Sequence, residues 1–306
     1  MADIRDRTDI PTPRQDTELP GFWAALGLPG AIDVHVHAMP DRLQEAVWAY
    51  FDAAGPLLGR PWPVRYRMGL AERTAALRGL GVLAFPSLLY PHKPGMAAAL
   101  NSWAAQFAAA TPGCLQTATF FAEPSAAADV ASAIEAGARV FKAHVQVGGY
   151  DPRDADLDAV WGLLAEAGVP VTVHCGSGPV PTAFTGPAIF AEVMARHPRL
   201  PAIVAHLGMP DFAEFFDLVD KYPRMRLDTT TVFTDFSDAV WPFPAAAVSR
   251  LVDLGDRIMF GSDFPTIPYS YAEAVAGLVA LDLGTDWLRA VFHDNAAALW
   301  PELAAA

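Results

Sequence analysis

The sequence predicts an α/β fold closed as a (β/α)8 TIM barrel, a single domain over residues 31–303 behind an N-terminal extension of residues 1–30. Three observations predict it. Short apolar, β-rich runs alternate with helical patterns along nearly the whole chain, as strands and crossover helices of a parallel sheet do. The runs number eight, one barrel's complement. The first run is not followed by the Gly-rich phosphate turn that the rival, an open doubly wound sheet, would carry. The 306 residues suit one such barrel, and 53% hydrophobic against 18% charged content supplies a large core.

Residues 1 to about 20 are charged and proline-bearing and read as a disordered or loosely draped arm. Its alternative role is to clasp a second subunit in a homo-oligomer. Residues 22–30, FWAALGLPG, form a short apolar turn into the first strand, AIDVHVH (31–37). Ile32, Val34 and Val36 are branched and apolar, which suits a buried strand. Alternation along a strand then puts Asp33, His35 and His37 on its other face. Polar groups buried there must be satisfied. Two imidazoles two residues apart can share one metal ion; hydrogen-bonded core histidines are the alternative.

After His37 the chain makes a long excursion, residues 39–69, holding a helix over Asp41–Ala53 and then GPLLGRPWPVRYRMG. Excursions of this length commonly form part of a site or lid. Arg65 and Arg67 there suit a substrate carboxylate, or else a solvated surface pair. The remaining strands are expected in LGVLAFPSLLY (80–90), LQTATFF (115–121), ARVFKAHV (138–145), VPVTVHC (169–175), PAIVAHL (201–207), RMRLDTT (224–230) and RIMFGSD (257–263). Helices are expected over Met96–Ala110, Ala126–Ala136, Leu157–Ala167, Pro187–Arg196 and Phe212–Lys221.

Charge and cysteine content narrow the function. The net charge of −13 argues against nucleic acid or an anionic membrane as partner. No run reaches the ~18 uninterrupted apolar residues of a membrane helix, and the N-terminus lacks a signal peptide's apolar core. Two cysteines, Cys114 and Cys175, offer no disulfide framework and point to a reducing compartment. A soluble cytoplasmic protein is expected.

Barrel chemistry comes from the C-terminal ends of several strands. Those ends carry His35 and His37, Lys142 and His144 (two apart, hence on one face), His174, His206, Asp228 and Asp263. Each sits in a hydrophobic run, where an ionisable group needs a partner. Together they have the composition of a metal site.

The motifs DVHVH (33–37), FKAHVQVGGYDP (141–152), VTVHCGSGP (171–179), AHLGMPDF (205–212), LDTT (227–230), FGSDFP (260–265) and NAAALW (295–300) occur in this order over nearly the whole chain. In this the sequence resembles the amidohydrolase superfamily, within it the second amidohydrolase family, similar to proteins of the aminocarboxymuconate-semialdehyde decarboxylase type. The resemblance implies that His35, His37, His174 and Asp263 hold one divalent metal, zinc foremost and manganese the alternative. It gives His206 the acid–base role and makes Asp263 both ligand and proton acceptor for the metal's water. Such a metal brings that water's pKa to about 7. In binuclear superfamily members a strand-four lysine is carboxylated and bridges two ions. Lys142 matches it, whereas His144 on the same face matches mononuclear relatives, so one ion is expected and two if Lys142 is carboxylated.

Cys175 adjoins His174 but faces the opposite way and reads as a packed thiol. Asp228 and Asp33 are expected to orient neighbours, Asn295 to close the fold, and Trp241 and Phe243 to wall a pocket or simply pack their loop. The expected function is a metal-dependent hydrolase of a small-molecule amide, lactone or ester through metal-activated water. The alternative is a metal-dependent non-oxidative decarboxylase of a small unsaturated or aromatic carboxylic acid. A third class, a barrel that only binds a ligand, conflicts with keeping so many buried ligand types. A carboxylate-bearing small molecule is the expected partner, gripped locally against the protein's negative field.

Overall fold

The computed structural model describes residues 10–305. Nine strands follow in chain order: β1 (Ala31–Ile32), β2 (Val82–Pro86), β3 (Cys114–Leu115), β4 (Thr117–Thr119), β5 (Val140–His144), β6 (Val171–His174), β7 (Ala202–Val204), β8 (Arg226–Asp228) and β9 (Ile258–Met259). β3 and β4 are two pieces of one predicted run, so the eight runs are recovered. The chain packs as two compact units, Met1–Phe85 with Thr229–Ala306, and Pro86–Asp228. Among the described residues no helix is long and apolar enough to cross a membrane.

In the unit Pro86–Asp228, β4 to β8 pair in sequence order. The registers are parallel: Thr117 opposite Val140, Phe141 opposite Val171, His144 opposite His174, Val171 opposite Ala202, Ile203 opposite Arg226. Helices Ala97–Ala110, Ala126–Glu135, Ala155–Ala167, Pro187–Arg196 and Phe212–Lys221 form the connections, as a parallel sheet requires. The helix over Ala155–Ala167 illustrates why they start and stop where they do. The Asp154 side chain accepts from the Asp156 amide at its N-terminus, and Gly168 ends it at φ 68°. The buried Trp161 from this helix meets Phe120 edge-on at 5.2 Å and donates Nε1–H to the Pro152 carbonyl at 2.9 Å. That contact satisfies the one polar atom of a large apolar side chain.

In the other unit β1 pairs with β2 in parallel, with a register irregularity between Ala31 and Ile32. The excursion after His37 contains helices Asp41–Ala53, Gly55–Leu58 and Leu70–Gly79. It is tied to itself by Arg73, 1% exposed, which donates to the Gln44 side chain, the Met39 carbonyl at 2.9 Å and the Asp41 carboxylate at 2.7 Å. A buried guanidinium is tolerable only with such partners. Of the expected loose arm, residues 1–9 lie outside the described residues, residues 10–15 form no helix or strand, and residues 16–20 form instead the turn Asp16–Glu18 and the start of a helix. Helix Leu19–Ala25 buries Leu19, Phe22 and Trp23. Trp23 packs on Phe22 and Phe292 and donates to the Leu80 carbonyl at 2.8 Å. Burial of three large apolar side chains at i, i+3 and i+4 is what holds this segment down.

Candidate metal centre

The regular ladder of β1 ends at Ile32, short of the expected strand over residues 31–37. The next residues exchange hydrogen bonds with two neighbours instead of one. Asp33 N donates to the Ala84 carbonyl at 3.0 Å, Val34 N to Phe260 O at 2.9 Å, and His37 N to Phe264 O at 2.8 Å, while Asp263 N donates back to His35 O at 2.9 Å. Val36 and Phe264 form a parallel bridge. The His-x-His segment is thereby clamped against residues 260–264, although 226 positions separate His37 from Asp263 along the chain.

This clamp brings three side chains together. His37 Nε2 lies 3.0 Å and His35 Nε2 3.6 Å from Asp263 Oδ1. One ligand atom from each of His35, His37 and Asp263 lies within 4.8 Å of the other two. His35 is 1% and His37 6% exposed. Asp263 has φ 69°, a left-handed conformation that costs an aspartate about 1–3 kcal/mol and persists where surroundings over-determine it. Here they do: Thr266 N closes on the Asp263 carbonyl at 3.0 Å and Phe264 N on Ser262 Oγ at 3.0 Å. Two buried imidazoles and a half-buried carboxylate converging in this way fit a divalent ion of the zinc or manganese kind. The fit is in donor chemistry and spacing.

Asp33 does not join the group as a ligand. Its Oδ1 accepts from His35 N at 3.0 Å and Ser262 N at 3.1 Å, and its Oδ2 from the Ser262 hydroxyl and from Tyr271 Oη at 2.9 Å. Burial pushes its carboxyl up to about 7, against the pull of those hydrogen bonds. The expected orienting role holds in altered form: Asp33 grips the backbone of His35 and not its ring. Ser262 and Tyr271 were not singled out from the sequence. Ser262 stands in the FGSD motif, whereas Tyr271, at a helix start, carries no signal of its own.

A second polar cluster lies in the other unit. His144 stacks on His174 with centroids 4.2 Å apart, as their paired register dictates. His174 Nε2 lies 2.9 Å from the Gly178 carbonyl; a carbonyl only accepts, so this nitrogen carries the proton. His174 Nδ1 then accepts from His206 Nε2 at 3.1 Å. His206 lies beyond β7, not on it, in a turn where His206 and Leu207 have φ 58° and 52°. Its amide donates to Asp228 Oδ1 at 2.9 Å, the orienting role expected of Asp228. His144 Nδ1 accepts from Val147 N at 3.3 Å. Lys142 is fully buried on β5, opposite Thr172. Cys175 is buried, and burial pushes its thiol well above the usual range, as suits a packed thiol.

Of the remaining candidates, Arg67 pairs through two guanidinium nitrogens with Asp52 and lies 5.7 Å over the Trp48 ring, on an exposed surface. Arg65 is exposed and lines a cavity of about 510 Å³ with Arg14, Gln15, Asp16, Thr17 and Ser270. Trp241 is half-buried, its amide bonded to the Ser237 carbonyl at 2.8 Å, and Phe243 packs on Phe233 at 5.0 Å. Asn295 donates to the Gly255 and Ile258 carbonyls at 2.6 and 2.7 Å, the structural closure expected of it.

Among solved structures the chain is similar to an uncharacterised TIM-barrel protein, Bb4693, of Bordetella bronchiseptica: 17% identity, TM-score 0.68, covering 90% of this chain and 99% of that one. It is similar to 5-carboxyvanillate decarboxylase LigW of Sphingomonas paucimobilis at 17% identity and TM-score 0.61, covering 89% and 99%. A third similar structure is the 5-carboxyvanillate decarboxylase of Novosphingobium aromaticivorans, complexed with manganese and 4-hydroxy-3-methoxy-5-nitrobenzoic acid (14% identity, TM-score 0.58, covering 89% and 95%). No curated protein matches the chain. The likenesses bear out the α/β TIM-barrel fold. A family model described as amidohydrolase matches residues 32–301, nearly the whole length, and the chain belongs to that family of metal-dependent enzymes.

Proposed function

We propose that His35, His37 and Asp263 hold one divalent ion, zinc or manganese, and that the protein hydrolyses an amide, lactone or ester bond in a small carboxylate-bearing molecule. The observation that carries this reading is the convergence of three ligand atoms, on two buried histidines and a half-buried aspartate, within 4.8 Å of one another. A divalent ion there supplies Lewis acidity and lowers the pKa of water. Asp263, whose carboxylate is already inside the group, would be placed to take a proton from water activated there. The resemblance also assigns His174 as a further ligand, a role that requires its ring to give up either the Gly178 carbonyl or His206 as a partner, and it gives His206 the acid–base role. Lys142 is read as an ordinary buried amine and not a carboxylated bridge, so one ion is expected. Arg65 is the better of the two arginine candidates for a substrate carboxylate, since Asp52 already occupies Arg67. Trp241 is retained as a pocket wall.

A second reading, non-oxidative decarboxylation, is at least as well supported by the company the fold keeps, which includes two 5-carboxyvanillate decarboxylases. The two readings separate in one assay. Metal-loaded protein is given a panel of small aromatic carboxylic acids and their amides and esters, with carbon dioxide and titratable acid followed in parallel. Acid release without carbon dioxide supports hydrolysis; carbon dioxide from the free acids supports the second reading. His206→Asn is expected to keep its metal and lose about 10²–10⁴-fold in turnover. Loss of the metal as well would make His206 a ligand.

A further inference from the structure

A chain of hydrogen bonds runs from Asp16 in the N-terminal extension to the residues that flank the metal ligands. Asp16, in the turn Asp16–Glu18, accepts from Ala272 N at 2.9 Å through Oδ1 and from Tyr66 Oη through Oδ2. Tyr66 Oη accepts in turn from Tyr271 N at 2.7 Å. Tyr271 Oη donates to Asp33 Oδ2 at 2.9 Å. Asp33 binds the His35 amide on one side and the Ser262 amide and hydroxyl on the other, and Ser262 immediately precedes Asp263. Tyr271, Asp33 and Ser262 are fully buried and Tyr66 is 7% exposed. A buried network with its members satisfied is rigid, and it fixes the starting residue of the helix Tyr271–Val279 from both its amide and its side chain.

We propose that the turn at Asp16 is a positioning element of the metal centre, acting through Tyr66, Tyr271 and Asp33 on the spacing of His35 and Asp263. The proposal rests on the metal-centre reading above. Outer partners of metal ligands typically change affinity by ~10–100-fold when removed, and each link here can be cut by one oxygen. Tyr271→Phe and Tyr66→Phe each delete one hydroxyl from the full chain; Asp16→Ala deletes the terminal acceptor. Gln106→Ala, exposed on the helix Ala97–Ala110 and outside the chain of bonds, is the control.

The test measures manganese affinity against a competing chelator at 10 °C, below each variant's unfolding, together with the electron paramagnetic resonance spectrum of the bound ion. The expected result is a Kd raised about tenfold or more by Tyr271→Phe, a smaller rise for Tyr66→Phe and Asp16→Ala, and an altered manganese spectrum in all three. Gln106→Ala stays at the parent value. A purely structural role would lower the melting temperature and leave affinity and spectrum unchanged. Affinities within twofold of the parent in both Tyr→Phe variants overturn the proposal, even if Asp16→Ala fails to fold. A parent chain that takes up no manganese overturns the metal-centre reading, and this inference with it.

Discussion

Gly277 tests the placement of the helix that carries Tyr271. A Cβ built at Gly277 lies 1.6 Å from the Phe233 carbonyl oxygen and 2.8 Å from its carbon. Both are backbone atoms, so no side chain can swing aside. Gly277→Ala therefore needs the helix and the 233 segment to part by roughly 1.5 Å before the contact becomes tolerable. Overpacking usually costs about 1–3 kcal/mol, and a clash with backbone at both ends belongs at or above the top of that range. Helix propensity favours the alanine by only about 1 kcal/mol and does not offset it. At about 2–4 °C per kcal/mol for a large domain, the melting temperature should fall by roughly 6–12 °C. Calorimetry and circular dichroism on the same samples check this. A melting temperature within about 1 °C of the parent would refute the packing of Tyr271–Val279 on Phe233, and with it the geometry that delivers Tyr271 to Asp33.

Other consequences follow from single contacts. Asn295→Ala orphans two carbonyls and should lower stability by about 1–3 kcal/mol in urea titration; no change would remove Asn295 from the fold's closure. Cys175 is buried with its thiol held high, and burial pushes Cys114 up to about 12. A raised pKa means little thiolate, so at pH 8 a disulfide reagent should label neither rapidly in native protein and both in denaturant; fast stoichiometric labelling of the native chain would contradict the burial. Arg67→Ala breaks an exposed pair worth about 0–1 kcal/mol, so its melting temperature should barely move.

The parts of this fold written in local pattern were legible in the sequence. Helix Pro187–Arg196 opens on a proline, and Phe212–Lys221 shows its apolar stripe plainly; both form where expected. The β-rich runs from Val140 to Asp228 also hold, because strands buried on both faces read as continuous apolar segments. What failed to show depends on distant partners. Period-2 alternation could not reveal that the first strand gains a second neighbour after Ile32, since Phe260 and Phe264 supply the new bonds. The convergence of Asp263 on His35 and His37 was readable only through the order of family motifs. Tyr271 looks like any aromatic at a helix start until its hydroxyl meets Asp33. The docked extension was readable in part: Leu19, Phe22 and Trp23 have helical spacing, obscured by the charged residues before them.

The central claim is that His35, His37 and Asp263 hold one metal ion. Elemental analysis of purified protein, after dialysis against manganese or zinc, tests it most directly. The account predicts about one ion per chain, lost in His35→Ala and in Asp263→Ala while both variants keep the parent circular dichroism spectrum. A parent chain without metal after supplementation, or both variants retaining a full equivalent, would contradict it.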